Sequence, residues 1–358
     1  MRSEFWRGKR VFLTGHTGFK GSWLALWLNR LGAEVCGYAL EPPTTPSLFE
    51  DAGVGKLVRS TIADIRDLGK LSAELTRFGP DIVLHLAAQS LVLRSYEDPL
   101  DTLSTNVIGT ANVLEAVRRY GGRCAVVNVT TDKVYENRGW VWGYRENDPL
   151  GGRDPYSSSK ACAELVAHAF RDSFFRASAG LTPSIGVANA RAGNVIGGGD
   201  YTPRQLVPDT VRALSEKTPV VLRHPEATRP WQHVLDCLSG YLMLAEALYG
   251  EPGRFSEDWN FGPADADTQP VSRVVEMLAS HWNIKQIWVR DLGSHPHEEM
   301  ALLLNSQKSR RDLGWACRLP LALALEWTAT WYRRHAEGAA ARALCVEQIE
   351  RYEALPAP

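Results

Sequence analysis

An apolar run, Val11-Phe12-Leu13, breaks at once into glycines at Gly15, Gly18 and Gly21. Apolar positions then recur at helical spacing (Trp23, Leu24, Leu26, Trp27, Leu28, Leu31) until Gly32 stops them. The pattern predicts a buried parallel strand, a tight turn and a helix. Glu34 to Leu40 reads as a second strand, and residues 42–55, rich in Pro and Thr, as loop. Leu57 to Ile62 is a short third strand, and Ile82 to Gln89 a buried fourth that ends in small residues. Thr102 to Tyr120 is a long helix, Ala125 to Val129 a fifth strand, Tyr156 to Phe175 a helix and Ile185 to Ala190 a sixth strand. This alternation predicts an α/β fold with a doubly wound parallel sheet.

Beyond the sixth strand the pattern loosens. A glycine loop (Gly197-Gly198-Gly199) precedes a helix at Leu206 to Leu214, a strand at Val220 to Leu222 and a helix at Val234 to Leu248. Trp259 to Phe261 is strand-like, and a helix lies around Leu323 to Arg334. We therefore expect a dinucleotide-binding domain at 1–193. Residues 194–358 should form mainly a smaller C-terminal α/β substrate-binding lobe, with segments near 229–262 returning to the sheet. The Ala-rich tail from Glu337 has helical propensity and no assigned role.

The glycine spacing carries chemistry. Gly15 lets the chain turn, Gly18 lets the backbone approach a ligand, and Gly21 lets helix and strand pack closely. Free N–H groups at the helix start then face an anion, most simply a pyrophosphate. His16, Thr17, Phe19 and Lys20 share that loop. The second strand ends in Tyr38-Ala39-Leu40, without the acid that often holds an NAD ribose, and Glu41 comes late. No basic cluster replaces it, so the strand end leaves both NAD and NADP open, with NAD favoured by the missing Arg. Asp64, beside Ile65, either meets an adenine amine or caps the next helix. Leu86, Ala87, Ala88 and Gln89 leave room for a dinucleotide to cross the strand ends.

Composition narrows the partners. The 358 residues carry a net charge of −1 and no dense basic run, which argues against nucleic acid or an anionic membrane as partner. The longest apolar stretch, Trp23 to Leu28, is too short to span a bilayer, and residues 1–7 lack the apolar run of a signal peptide. Six cysteines, with no Cys-x-x-Cys spacing, read as reduced core residues of a cytoplasmic protein. The His295-Pro296-His297-Glu298 cluster lacks further spaced ligands and reads as loop; no metal is expected. The tryptophans read as core, apart from Trp231 near a substrate loop.

Asp154-Pro155-Tyr156-Ser157-Ser158-Ser159-Lys160 puts a phenol and an ammonium four residues apart, on one helix face. The ammonium is expected to favour phenolate and lower the Tyr156 pKa. Together with Thr14-Gly15-x-x-Gly18-x-x-Gly21, this motif resembles the extended short-chain dehydrogenase/reductase superfamily over nearly the whole chain. His85-Leu86-Ala87-Ala88, the helix with Asn106 and Gly109, Arg191-Ala192-Gly193-Asn194 and Arg229-Pro230-Trp231-Gln232-His233 resemble its nucleotide-sugar branch. Asp132-Lys133 after Thr131, with Gly15-His16-Thr17-Gly18-Phe19-Lys20-Gly21, is similar to the CDP-glucose 4,6-dehydratases. An inverting UDP-N-acetylglucosamine dehydratase type also carries Asp-Lys.

The resemblance implies a Rossmann-like sheet and tightly bound NAD, with Asn106 among the cofactor-binding residues. Tyr156 would be the base at the sugar O4, with Thr131 positioning that oxygen and Lys160 holding the nicotinamide ribose. Asp132 would be the acid for the departing hydroxyl. Lys133 would be the base at C5, acting in a neutral form that desolvation and nearby positive charge favour. Asn194, Arg204 and Arg229 would hold the nucleotide-sugar phosphates. The long helices, about 99–120 and 156–176, would pair subunits into a homodimer or homotetramer. Other nucleotide-sugar dehydratases, a 4-epimerase and a dinucleotide-sensing binding protein are the alternatives. The base preference rests on the resemblance alone.

Overall fold

The computed structural model describes residues 3–176, 184–285, 287–293 and 299–356. Its strands are β1 (Arg10–Thr14), β2 (Glu34–Ala39), β3 (Arg59–Ile62), β4 (Ile82–His85), β5 (Cys124–Val129), β6 (Ile185–Ala192), β7 (Asn194–Ile196), β8 (Val220–Leu222), β9 (Thr228–His233), β10 (Asp258–Phe261), β11 (Thr268–Pro270) and β12 (Trp288–Arg290). Seven of them form a parallel sheet in the order β10-β6-β5-β4-β1-β2-β3. The chain runs from β1 out to β3, then crosses to β4 on the other side of β1. That reversal opens a crevice at the carboxyl ends of β1 and β4.

The apolar runs are continuous because both sheet faces are covered. Val11, Leu13, Ile82, Leu84, Ala125 and Val127 face one core, with helices Phe19–Arg30 and Val234–Gly250. Phe12, Val83 and Val126 face the other, with helices Leu68–Phe78 and Gly109–Tyr120. Neighbouring residues alternate between the two layers, as strand geometry demands. β9 stays outside the main sheet, between β11 and β7, whereas β10 pairs with β6 in register Asp258↔Asn189. β8 and β12 form a separate parallel pair. Helix Ala341–Glu353 docks on Phe19–Arg30, where Arg30 meets Glu350 and Glu353.

Two local expectations need correction. Residues 42–55 are not all loop: Ser47 accepts the Glu50 N–H and caps a helical turn at Leu48–Asp51, and a 3₁₀ turn follows at Val54–Lys56. The helix expected from Thr102 starts at Pro99 with Asp98 as its cap, and widens to a π turn over Ser104–Ile108 before Gly109–Tyr120. The six cysteines are free. Among the described residues, no helix is long and apolar enough to cross a membrane.

Candidate active site

The glycine turn sits at the crevice. Gly15 has φ +76°, and a Cβ there would lie 2.7 Å from the Ala87 amide nitrogen. A Cβ on Gly21 would overlap the Gly15 carbonyl. On Gly18 it would meet nothing nearer than 3.5 Å, so the loop is open on that side. Helix Phe19–Arg30 starts with no side-chain cap. Its first N–H groups and dipole are thus disposed toward an anion, and the cradle that a Cβ would fill suits a dinucleotide pyrophosphate. Gly21→Ala should cost about 1–3 kcal/mol of stability, as overpacking does, and weaken NAD binding. Thermal melting with and without NAD checks this; an unchanged midpoint and NAD affinity would contradict it.

A buried polar chain pins the turn to β4. The Thr110 hydroxyl donates to the Asn106 carbonyl at 2.7 Å, so it accepts from His85 Nε2 at 3.0 Å. His85 Nδ1 then accepts the Thr14 hydroxyl at 2.7 Å, and the Thr14 oxygen accepts the Leu86 and Ala87 N–H groups at 3.1 Å. The loop's own side chains are also engaged: Thr17 donates to the Leu40 carbonyl, and the buried His16 ring lies over Gly37 with Nε2 on Ser60. Phe19 packs at the core margin.

Burial holds His16 down to about 4, and burial with the Lys160 charge holds His85 to about 3. In an unfolded chain both titrate near 6.5. Below that value the unfolded chain binds protons that the folded chain refuses, so stability is lost as pH falls. The melting midpoint should drop steadily between pH 6.5 and about 4; a flat profile across that window would refute the assignment.

The second half of the site is at the end of β5. Thr131 caps a 3₁₀ turn, Asp132–Val134, by accepting the Lys133 N–H. The Thr131 hydroxyl lies 3.0 Å from Asp132 Oδ1, and Lys133 Nζ lies 3.8 Å from that same oxygen. Asp132 is fully buried, and its Oδ2 has no hydrogen-bond partner. Helix Pro155–Phe170 begins under an Asp154 cap and brings Tyr156 beside Thr131. Lys160 donates to the Val129 carbonyl at 2.9 Å.

Here the electrostatic expectation is corrected. Burial pushes the Tyr156 phenol above its ordinary value, and the charges of Asp132 and Asp154 push it the same way. Lys160 is itself lowered to about 8, by burial and by Lys20. The lysine serves a strand carbonyl, so in the protein alone it does not offset the desolvation of the phenol.

Other expected residues divide. Asn106 spends its amide on Gln89 and Ser159: Oδ1 accepts the Gln89 N–H, and Nδ2 donates to the Gln89 carbonyl and the Ser159 hydroxyl. It joins the strand end to the Tyr156 helix. Asp64 grips Arg66 at 2.6 and 2.9 Å, which lowers its pKa, while Ile65 fills the space against Gly109. Asn194 keeps a buried Oδ1 without a partner. Arg229 and Lys133 line an open cleft together with Arg153 and Arg223, which no sequence motif marks. Arg204 is exposed, 2.6 Å from Glu97, the neighbour of the lining residue Tyr96. Trp231 is core, its indole donating to the Gln269 carbonyl. The cluster at 295–298 lies outside the described residues.

A model of the NAD dependent epimerase/dehydratase family matches residues 11–262. A Salmonella typhimurium protein described as CDP-glucose 4,6-dehydratase is 52% identical over 334 residues, 92% of this chain and 93% of its own. The solved structure of DesIV, a dTDP-glucose 4,6-dehydratase from Streptomyces venezuelae with NAD and TYD bound, superposes with a TM-score of 0.78 at 25% identity, covering 92% of this chain and 98% of that one. UDP-glucose 4-epimerase from Thermotoga maritima shares the fold at a TM-score of 0.78 and 20% identity, over 91% of this chain and 99% of its own.

Proposed function

This chain belongs to the NAD dependent epimerase/dehydratase family, and from that premise we propose that it is a 4,6-dehydratase converting CDP-glucose to CDP-4-keto-6-deoxyglucose and water. The observation that carries the reading is the meeting of Asp132 and Lys133 with Thr131 and Tyr156 at one strand end. An epimerase has no use for a buried acid beside an amine. The 52% identical relative supports the cytidine nucleotide.

The cofactor is NAD. Residues Gly15 to Gly21 would hold its pyrophosphate, Lys160 its nicotinamide ribose, and Asp64 and Ile65 its adenine end, with Leu86 to Gln89 beneath it. Asn106 fixes that strand end for it. The chemistry it supplies when bound is a reversible two-electron oxidation, at C4 and then in reverse at C6. Tyr156 takes the O4 proton while Thr131 holds O4. The resulting ketone makes the C5 proton acidic, and Lys133, its own proton first passed to Asp132 3.8 Å away, removes it and afterwards returns a solvent-exchanged proton to C5. Asp132 protonates the departing O6 hydroxyl, so one water leaves and there is no net redox change. Arg229 and Asn194 hold the substrate phosphates, and Arg204 joins them by exchanging its exposed partner Glu97 for phosphate.

Two further points belong to this reading. Leu100, Ile108, Leu165 and Phe174 are exposed on the helical face formed by residues 99–120 and 155–175, which suits pairing of two copies into a homodimer or, by a second contact, a homotetramer. Free cysteines suit a cytoplasmic setting.

The test is a product assay in D2O with CDP-glucose, and dTDP-glucose, UDP-glucose, UDP-N-acetylglucosamine and GDP-mannose alongside. A 4-keto-6-deoxy product from CDP-glucose with deuterium at C5 is expected. Product from another nucleotide would overturn the base assignment. C4 inversion without water loss would establish an epimerase, and silence on all five a binding protein.

A further inference from the structure

Tyr156, Lys160, Glu164 and His168 follow at four-residue intervals, so they share one face of helix Pro155–Phe170. Glu164 meets Arg191 of β6, and both are fully buried. Arg191 Nε donates to both Glu164 oxygens at 3.0 Å, and Nη2 to Oε2 at 2.5 Å. Nη2 also donates to Asp258 of β10 at 3.0 Å, and Asp258 holds His168 at 2.9 Å. Glu164, His168 and Asp258 have a metal-like spacing, but the guanidinium already binds both carboxylates.

The connections run on to the catalytic turn. Glu164 Oε1 accepts the Thr130 hydroxyl at 2.5 Å. Arg191 Nη1 donates to the Tyr135 hydroxyl at 2.7 Å, and that hydroxyl donates to Asn260 Oδ1 at 2.8 Å. Thr130 and Tyr135 bracket Thr131-Asp132-Lys133. One guanidinium therefore grips both ends of the turn, through Glu164 at the entrance and Tyr135 at the exit. Glu164 in turn belongs to the helix that carries Tyr156.

The turn needs outside support. Its internal backbone bonds, Val134 N to Thr131 O and Tyr135 N to Asp132 O, are both 3.4 Å, beyond the usual range. The Lys133 ammonium has Asp132 at 3.8 Å as its ion-pair contact. The place of that amine thus depends on where the backbone is held. The two ends are unequal. At the entrance, the Thr130 N–H is also held by the Ala190 carbonyl of the sheet at 2.9 Å. At the exit, the backbone is bonded to the 149–151 segment (Gly151 N–H to the Val134 carbonyl at 2.8 Å, Glu136 N–H to the Pro149 carbonyl at 2.9 Å) and the Tyr135 ring stacks on Tyr144, while the Tyr135 hydroxyl is the tie to the sheet.

We propose that Arg191, Glu164 and Tyr135 are positioning residues, a clamp that sets Asp132 and Lys133 against Tyr156; the step they govern rests on the dehydratase reading above. Loosening the exit displaces the C5 base and leaves Tyr156 and Thr131 in place. It therefore slows water loss and not the oxidation at C4.

The experiment is Tyr135→Phe, which removes one oxygen and keeps the ring. A misplacement on the order of 1 Å costs about 100-fold in rate, so kcat for dehydration should fall by about 10- to 100-fold with KM for CDP-glucose nearly unchanged. Reduced-cofactor absorbance should build up during turnover, and deuterium uptake at C5 should slow in parallel. Arg191→Lys, whose single ammonium can keep Glu164 and gives up the bond to Tyr135, should give the same partition if Tyr135→Phe does not fold. Wild-type kcat in the folded variants, or a loss of rate with the cofactor staying oxidised, overturns the clamp. A wild-type enzyme that forms no 4-keto product overturns the dehydratase reading and the step assignment with it; a wild-type product without the partition overturns the clamp alone.

Discussion

Tyr156→Phe should lower turnover by about 10²- to 10⁴-fold, the range that a positioned acid–base group supplies. The ring stays, so packing around the buried side chain is kept. What is lost is the phenol oxygen beside Thr131 that would take the O4 proton. In the protein alone the phenol is protonated, because burial and the carboxylates of Asp132 and Asp154 raise its pKa. Substrate and the positive nicotinamide ring must reverse that balance before the proton can move. The variant should bind NAD and CDP-glucose with affinity near wild type, yet show neither reduced cofactor nor product. Single-turnover absorbance together with product analysis decides it. Near-normal turnover would remove Tyr156 from the role of base.

Lys133→Met should separate the reaction at its second stage. Methionine keeps a long flexible stem and removes only the ammonium. Tyr156, Thr131 and Lys160 remain, so oxidation at C4 continues slowly and the reduced cofactor accumulates. Loss of water should fall by about 10²- to 10⁴-fold, and no deuterium should enter C5 from D2O. The buried Asp132 would lose the neighbour at 3.8 Å and keep the Thr131 hydroxyl. Dehydration at the original rate would place the C5 base elsewhere. This variant should be more severe than Tyr135→Phe, because it removes the amine and does not merely move it.

These two outcomes rest on residues adjacent in sequence, and such residues were the ones open to reading. Thr131-Asp132-Lys133 is one turn, and Tyr156 and Lys160 are one helical turn apart. Glu164 stands at the next helical interval, and that spacing was the available clue to its role. Arg191, from another strand, carries no local sign that it closes on it. The partners of Asn106 are a strand end and a second helix, which an asparagine in a helix does not reveal. The contact of Arg204 with Glu97 joins residues far apart in the chain, so no local spacing announces it.

The amino-acid order by itself determined the parallel sheet, the glycine turn and the shared helix face of Tyr156 and Lys160. These follow from apolar periodicity, from the absence of a Cβ and from i, i+4 spacing, all of which act within a few residues. The tertiary structure decided what depends on distant partners and on burial. It turned Arg204 outward to Glu97 and brought Arg153 and Arg223 to the cleft. It also raised the Tyr156 phenol despite the lysine four residues on, since desolvation is a property of the packed interior that no short stretch of chain contains.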